Sequence, residues 1–140
     1  MKTQALKKIM IVDDEQSILL SLSHVLKTEG VEVITCNEIE QAETALNNTH
    51  FDLVIADIRM SGVKGIEGLE LLSYIKDRFD SKVIIMTGYD SNDTMNEAYR
   101  RGAHYYFQKP VDIPELLKQV SLAGIPVRES WLRNSQNSSL

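Results

Sequence analysis

Residues 9–15 read Ile-Met-Ile-Val-Asp-Asp-Glu: four apolar side chains in a row, then three acidic ones. An apolar run this short, with no polar alternation, is what a strand covered on both faces of a parallel sheet looks like. Working outward, four more short β-rich runs follow, most of them without polar alternation: Val31 to Cys36, Leu53 to Ala56, Val83 to Met86, and Tyr105 to Phe107. Each is bounded by polar or turn residues.

The segments between the runs carry a helical period. Ile18, Leu22, Val25 and Leu26 recur at i, i+4, i+7 and i+8, and Gly30 is expected to end that helix. Ile39, Ala42, Ala45 and Leu46 make a second stripe. Leu69, Leu72, Ile75 and Phe79 make a third, after the glycine-rich residues 62–68. A fourth runs from about Ser91, with Met95, Ala98 and Tyr99 on one face and Gly102 as its stop. The fifth opens on Asp112 as N-cap with Pro114 in the first turn. Its apolar residues are Leu116, Leu117 and Val120, and Gly124 ends it. Strands and helices in strict alternation predict an α/β fold: a doubly wound parallel five-stranded sheet with right-handed crossovers and helices on both faces.

The chain has 140 residues, about one domain's worth. Hydrophobic residues are 43% and charged residues 25%, the balance of a globular domain able to bury a core without staples. Cys36 is the only cysteine, which excludes a disulfide scaffold. No apolar stretch reaches the length of a membrane span, and no apolar segment follows the N-terminal lysines as a secretory signal would require. The cytoplasm is the expected compartment. Fifteen Lys and Arg against twenty Asp and Glu give a net charge of −5, which argues against direct nucleic-acid binding. Residues 7–124 are expected to form the domain. Residues 125–140, with Pro126, Trp131 and a Ser/Asn-rich end, are expected to be a flexible tail or linker stub.

In such folds ligand chemistry sits at the carboxyl ends of the strands. The sequence places Asp13, Asp14 and Glu15 after the first strand, Asp57 after the third, Thr87 and Gly88 after the fourth, and Lys109 and Pro110 after the fifth. Each has an ordinary reading alone: a helix cap, a loop carboxylate, a strand-end hydroxyl, a surface lysine. Converging at four strand ends, they make a pocket of carboxylates, one hydroxyl and one ammonium. Close carboxylates repel and need a compensating cation. Oxygen donors without His or Cys favour a hard ion such as Mg²⁺.

Four stretches carry a family resemblance: IMIVDDE at 9–15, DLVIADIRM at 52–60, VIIMTGY at 83–89 and GAHYYFQKPVD at 102–112. The chain resembles the receiver domain of bacterial two-component response regulators, over residues 7 to about 122. The resemblance implies a flavodoxin-like strand order 2-1-3-4-5 and a phosphorylation-dependent signalling switch, a phosphoacceptor and not a turnover enzyme. It implies that Asp57 accepts a phosphoryl group from a partner histidine kinase. Asp13 and Asp14 match the metal-binding acidic pair, with Asp57 and the backbone carbonyl of Arg59 completing the ligands of Mg²⁺ or Mn²⁺. Thr87 matches the switch hydroxyl, Tyr106 the switch aromatic, and Lys109 the family's lysine, before a proline bond that is usually cis. Gly88 offers a backbone N–H to the phosphoryl oxygens. Arg59 and Tyr89 match positions flanking the approach of hydrolytic water, and their bulk predicts a slow autodephosphorylation. The changed surface is expected on the fourth helix, fifth strand and fifth helix, with Tyr99, Arg100, Arg101, Tyr105 and Gln108. At the helical spacing of Met95 and Tyr99, core packing is the commoner role.

Departures from the family pattern lie in one place. Met60 is followed by Ser61 where proline is common, and residues 62–68 are about three longer than usual, with Gly65 or Gly68 as the matching glycine and Gly68 favoured. A phosphatase of the haloacid dehalogenase type also uses an aspartyl nucleophile, but it needs an acid two residues later, where Arg59 stands. A flavodoxin-like electron carrier needs a Ser/Thr/Gly-rich loop after the first strand. Expected partners are the kinase and a downstream protein or output domain, without a membrane, and a phosphorylation-dependent dimer is open. Whether the chain stands alone or is part of a longer regulator is open as well.

Overall fold

The strands pair because their side chains are apolar on both faces and their backbone groups must find partners. In the computed structural model, which describes residues 6–59, 66–88 and 92–128, they form one parallel sheet in the order β2-β1-β3-β4-β5. The elements are β1 (Lys7–Val12), α1 (Gln16–Leu26), β2 (Val31–Cys36), α2 (Ile39–Asn48), β3 (Leu53–Asp57), α3 (Glu67–Arg78), β4 (Lys82–Thr87), α4 (Asn92–Arg100), β5 (Tyr105–Gln108) and α5 (Ile113–Leu122). The alternation, the sheet and its order agree with the sequence reading.

The winding reverses once. β1 leads outward to β2, and every later crossover runs the other way, so right-handed connections place helices on opposite faces. One face packs Met10, Val12, Val54, Ala56, Val83 and Ile85 against α2, α3 and α4. The other packs Ile9, Ile11, Leu53, Ile55, Ile84 and Met86 against α1 and α5. Alternate residues of β1, β3 and β4 go to opposite cores, which is why these strands read as continuous apolar runs. The reversal leaves a crevice between the carboxyl ends of β1 and β3.

Helix ends divide into two kinds. After α4, Gly102 at φ +105° lets its N–H reach Tyr99 and the Ala103 N–H reach Ala98. After α5, Gly124 at φ +91° repeats the pattern with Ser121 and Val120. Both close as a left-handed glycine cap does. Gly30 departs from expectation. α1 already stops at Leu26, with Lys27 extended, and Gly30 (φ +82°) instead turns the chain into β2, where its carbonyl accepts the Lys7 N–H. Packing continues past Gly124: Ile125 is buried, Val127 rests on the α1–α5 core, and Arg128 Nε donates to the Lys27 carbonyl at 2.7 Å. The remainder of the expected tail, Trp131 included, and the loop at 60–65 lie outside the described residues.

Candidate functional site

Asp13 follows directly on β1, and Asp57 is the last residue of β3. Both are buried, whereas Asp14 is exposed. The position of Asp13 is fixed locally: its Oδ1 accepts the Glu15 N–H at 2.9 Å, just before α1 begins. Asp57 Oδ1 accepts the Arg59 backbone N–H at 3.2 Å. Carboxylate oxygens of Asp13, Asp14 and Asp57 all lie within 4.8 Å of one another.

Lys109 reaches this cluster from beyond β5. Its backbone N–H donates to the Thr87 carbonyl at 2.7 Å, and the Lys109–Pro110 peptide is cis. Its Nζ lies 2.8 Å from Asp13 Oδ2, 3.2 Å from Asp57 Oδ2 and 3.5 Å from Glu15 Oε1. One ammonium thus serves three carboxylates. Burial works against the Lys109 charge, but the bonds and charges of Asp13 and Asp57 outweigh it and hold its pKa above the usual lysine range. For Asp57 the balance goes the other way. Burial, helped by the Asp13 charge, lifts its pKa above the ordinary carboxylate range against the pull of Lys109. A carboxylate held uneasily in its charged form beside an acidic neighbour fits an added cation. The donors are all hard oxygens, as Mg²⁺ or Mn²⁺ prefers, and the exposed Asp14 would leave room for water on such an ion.

Thr87 ends β4 and is fully buried. Tyr106 is paired with Ile85 and packs on the face that carries α2, α3 and α4. Thr87 lies two residues after Ile85, so strand alternation puts it on the same face, toward the site. Its neighbour Gly88 is exposed, with open space where a Cβ would be. The Arg59 side chain is exposed, and Tyr89 lies outside the described residues. Tyr99 was expected to pack in the core more often than not, yet it is 43% exposed. Its hydroxyl instead accepts the Tyr106 backbone N–H at 3.1 Å.

Two features escape a reading of single positions. α3 starts at Glu67, so Gly68 lies inside the helix, and a Cβ there would stand 2.1 Å from the Asp57 carbonyl oxygen. The Gly68 N–H donates to the Ile58 carbonyl at 2.9 Å. The helix therefore rests directly on the backbone that carries the site. The second is an apolar groove of about 190 Å³ beside Lys109, lined by Ile18, Leu22, Met86, Pro110 and Ile113.

Comparisons with known proteins agree with this geometry. A family model, the response regulator receiver domain, matches residues 9–121. The chain is 36% identical over 110 residues to the sporulation initiation phosphotransferase F of Bacillus subtilis, covering 79% of this chain and 87% of that protein. It is 35% identical over 136 residues to the DNA-binding transcriptional regulator NtrC of Proteus hauseri, covering 94% of this chain but only 28% of that regulator. Among solved structures, the beryllofluoride-activated NtrC4 receiver domain dimer matches with a TM-score of 0.77 at 33% identity, over 84% of this chain and 96% of that one. No helix among the described residues is long and apolar enough to cross a membrane.

Proposed function

The chain belongs to the response regulator receiver domain family, and from that premise we propose that it is a signalling switch in which Asp57 takes a phosphoryl group from a histidine kinase. Receiver domains are phosphoacceptor switches of two-component systems, so the event here is one transfer per signal and not turnover. The observation that carries the assignment to Asp57 is the single Lys109 ammonium bridging Asp13 and Asp57 at the crevice where the sheet reverses.

In the transfer, an Asp57 oxygen attacks phosphorus in line. The P–N bond to the kinase histidine breaks, and its electron pair stays on the ring nitrogen. Little covalent chemistry falls to the protein, which positions the groups and offsets charge. Lys109 sits where it can pair with a phosphoryl oxygen, and the backbone N–H of Gly88 can donate to another. Asp13, Asp14 and Asp57, with the Arg59 carbonyl, would hold Mg²⁺ or Mn²⁺, which when bound would neutralise the clustered carboxylates and the incoming phosphate. Thr87 reaches the phosphoryl group by moving toward it. That opens space beneath α4 for the ring of Tyr106, and the α4-β5-α5 face changes as a pre-existing equilibrium shifts.

Tyr99, Arg100, Tyr105 and Gln108 form the outward part of that face. It supports association with a downstream partner or a second copy; the similar NtrC4 receiver domain is a dimer when activated by beryllofluoride. Arg59 and Tyr89 occupy the sequence positions that flank the approach of hydrolytic water in receivers, and their size is expected to give a phosphorylated state lasting minutes to hours; Tyr89→Glu with Arg59→Asn should shorten it at least about tenfold. The test of the acceptor is to treat the protein with acetyl phosphate and Mg²⁺, trap with borohydride and map the label by mass spectrometry. Label on Asp57, lost in Asp57→Asn, is expected; retained labelling in that variant overturns the assignment.

A further inference from the structure

α4 is a weakly buried helix. Only Ala98 of its nine residues is buried. Such a helix is held in place mainly at the points where specific bonds tie it down. Its C-terminal turn carries a concentration of them around Arg101. Arg101 Nε donates to Glu97 Oε2 at 2.8 Å, while its Nη1 donates to the Leu69 carbonyl at 3.1 Å and to Ser73 Oγ at 3.3 Å. Leu69 and Ser73 belong to α3. Glu97 is in turn held by Arg100 at 2.6 Å, and its bond with Arg101 pulls its carboxyl below the usual range. The planar guanidinium spans two helices at once, as a lysine ammonium could not.

The far end of this tether is fixed. Leu69 follows Gly68, which lies too close to the Asp57 carbonyl to admit a Cβ and is bonded to Ile58. The start of α3 therefore cannot shift without shifting the phosphoacceptor backbone. Arg101 ties the last turn of α4 to that rigid base. The opposite end of α4 follows Thr87 and Gly88, where charge would arrive.

We propose that Arg101 is a positioning residue that pins the C-terminal turn of α4 to α3, so that α4 answers phosphorylation by swinging about that end. The inference rests on the Asp57 switch reading above. The swing strains the bonds to α3 without opening that end, and this makes the tether a restraint on the switched state. By linkage, weakening the tether eases the swing and raises affinity for the phosphoryl group or its mimic.

The experiment compares the full chain with Arg101→Gln, reading amide hydrogen exchange and beryllofluoride affinity in the presence of Mg²⁺. In the wild type, the amides of Arg101, Gly102 and Ala103 should keep their protection when beryllofluoride binds. In Arg101→Gln the same three should lose about tenfold in protection on binding, the size expected for losing bonds to a charged group. Beryllofluoride should bind the variant about threefold to tenfold more tightly. A helix end that merely frays would lose protection equally with and without beryllofluoride and leave the affinity unchanged; that result overturns the pivot. So do wild-type end amides that respond to beryllofluoride. Ser73→Ala, which removes one partner and keeps the arginine, should show the same pattern in smaller measure and decides the matter if Arg101→Gln does not fold. If beryllofluoride moves neither Thr87 nor Gly88 in any protein, the switch reading itself has failed and the pivot falls with it.

Discussion

Replacing Gly68 by alanine adds one methyl group at the most crowded of the described glycines. The new carbon would stand 2.1 Å from the Asp57 carbonyl oxygen, 2.6 Å from Ile58 Cα and 2.7 Å from Asp57 C. All three neighbours are backbone, so no side chain can rotate away, and α3 must lift or the β3 end must bend. Overpacking costs about 1–3 kcal/mol, and a backbone obstacle argues for the upper part of that range. Against it stands a gain of about 0.5–1 kcal/mol, because alanine is the better helix former and restricts the unfolded chain. The net expectation is a loss of about 2 kcal/mol, or about 6–10 °C in Tm for a domain of this size. Thermal and urea unfolding without Mg²⁺ measure it. Gly88→Ala is the control: the added carbon there meets nothing within 4 Å, so a change within about 0.5 kcal/mol is expected. Because the obstacle is Asp57's own carbonyl, Gly68→Ala should also weaken beryllofluoride binding. A Gly68→Ala protein as stable as the wild type, with unaltered binding, would refute the claim that α3 rests on the Asp57 backbone.

Lys109→Met leaves Asp13, which is fully buried, facing Asp57 without its ammonium, and should cost about 3 kcal/mol in metal-free urea unfolding, with Mg²⁺ restoring part of it; full stability without metal would contradict the pairing. Asp57 has a folded pKa above its unfolded one, so the folded state binds more protons between the two values and stability falls as pH rises through that window. Asp57→Asn should therefore be more stable than wild type at pH 7 in metal-free buffer, with the advantage shrinking below the ordinary carboxylate range, as parallel denaturation curves will show. Tyr99→Phe should accelerate exchange of the Tyr106 amide in the unphosphorylated protein by about threefold to tenfold while leaving Phe107 unaffected; unchanged exchange at Tyr106 would mean another acceptor takes that proton.

The sheet was legible because Ile9 to Val12, Leu53 to Ala56 and Val83 to Met86 are apolar at consecutive positions, and burial on two faces is a property that a linear pattern records. The site was legible for a related reason: Asp13, Asp57, Thr87 and Lys109 stand where the apolar runs stop, and the topology brings those stops together. What resisted reading depends on what a residue meets in space. Gly30 looks like a helix stop, but α1 ends four residues earlier and the glycine turns the chain into β2. Gly68 looks like loop glycine, yet it sits inside α3 against a carbonyl. Tyr99 shares a helical stripe with Ala98, and only the geometry of β5 shows that its hydroxyl has a backbone donor to serve. Arg101 is one of two adjacent arginines, and nothing in the sequence separates the one bonded across to α3 from the one that is not.

β5 borders the sheet, with β4 on one side and, among the described residues, no strand on the other. A border strand is a template: its outward donors and acceptors invite a further chain to align and extend the ladder. At the middle of this short strand the outward donor of Tyr106 is already taken by a phenol from α4. An incoming strand would have to displace that phenol before it could form its first bonds. This edge is thereby guarded against polymerising by strand addition. Association there is left to side chains and helices, whose contacts are more readily made and released.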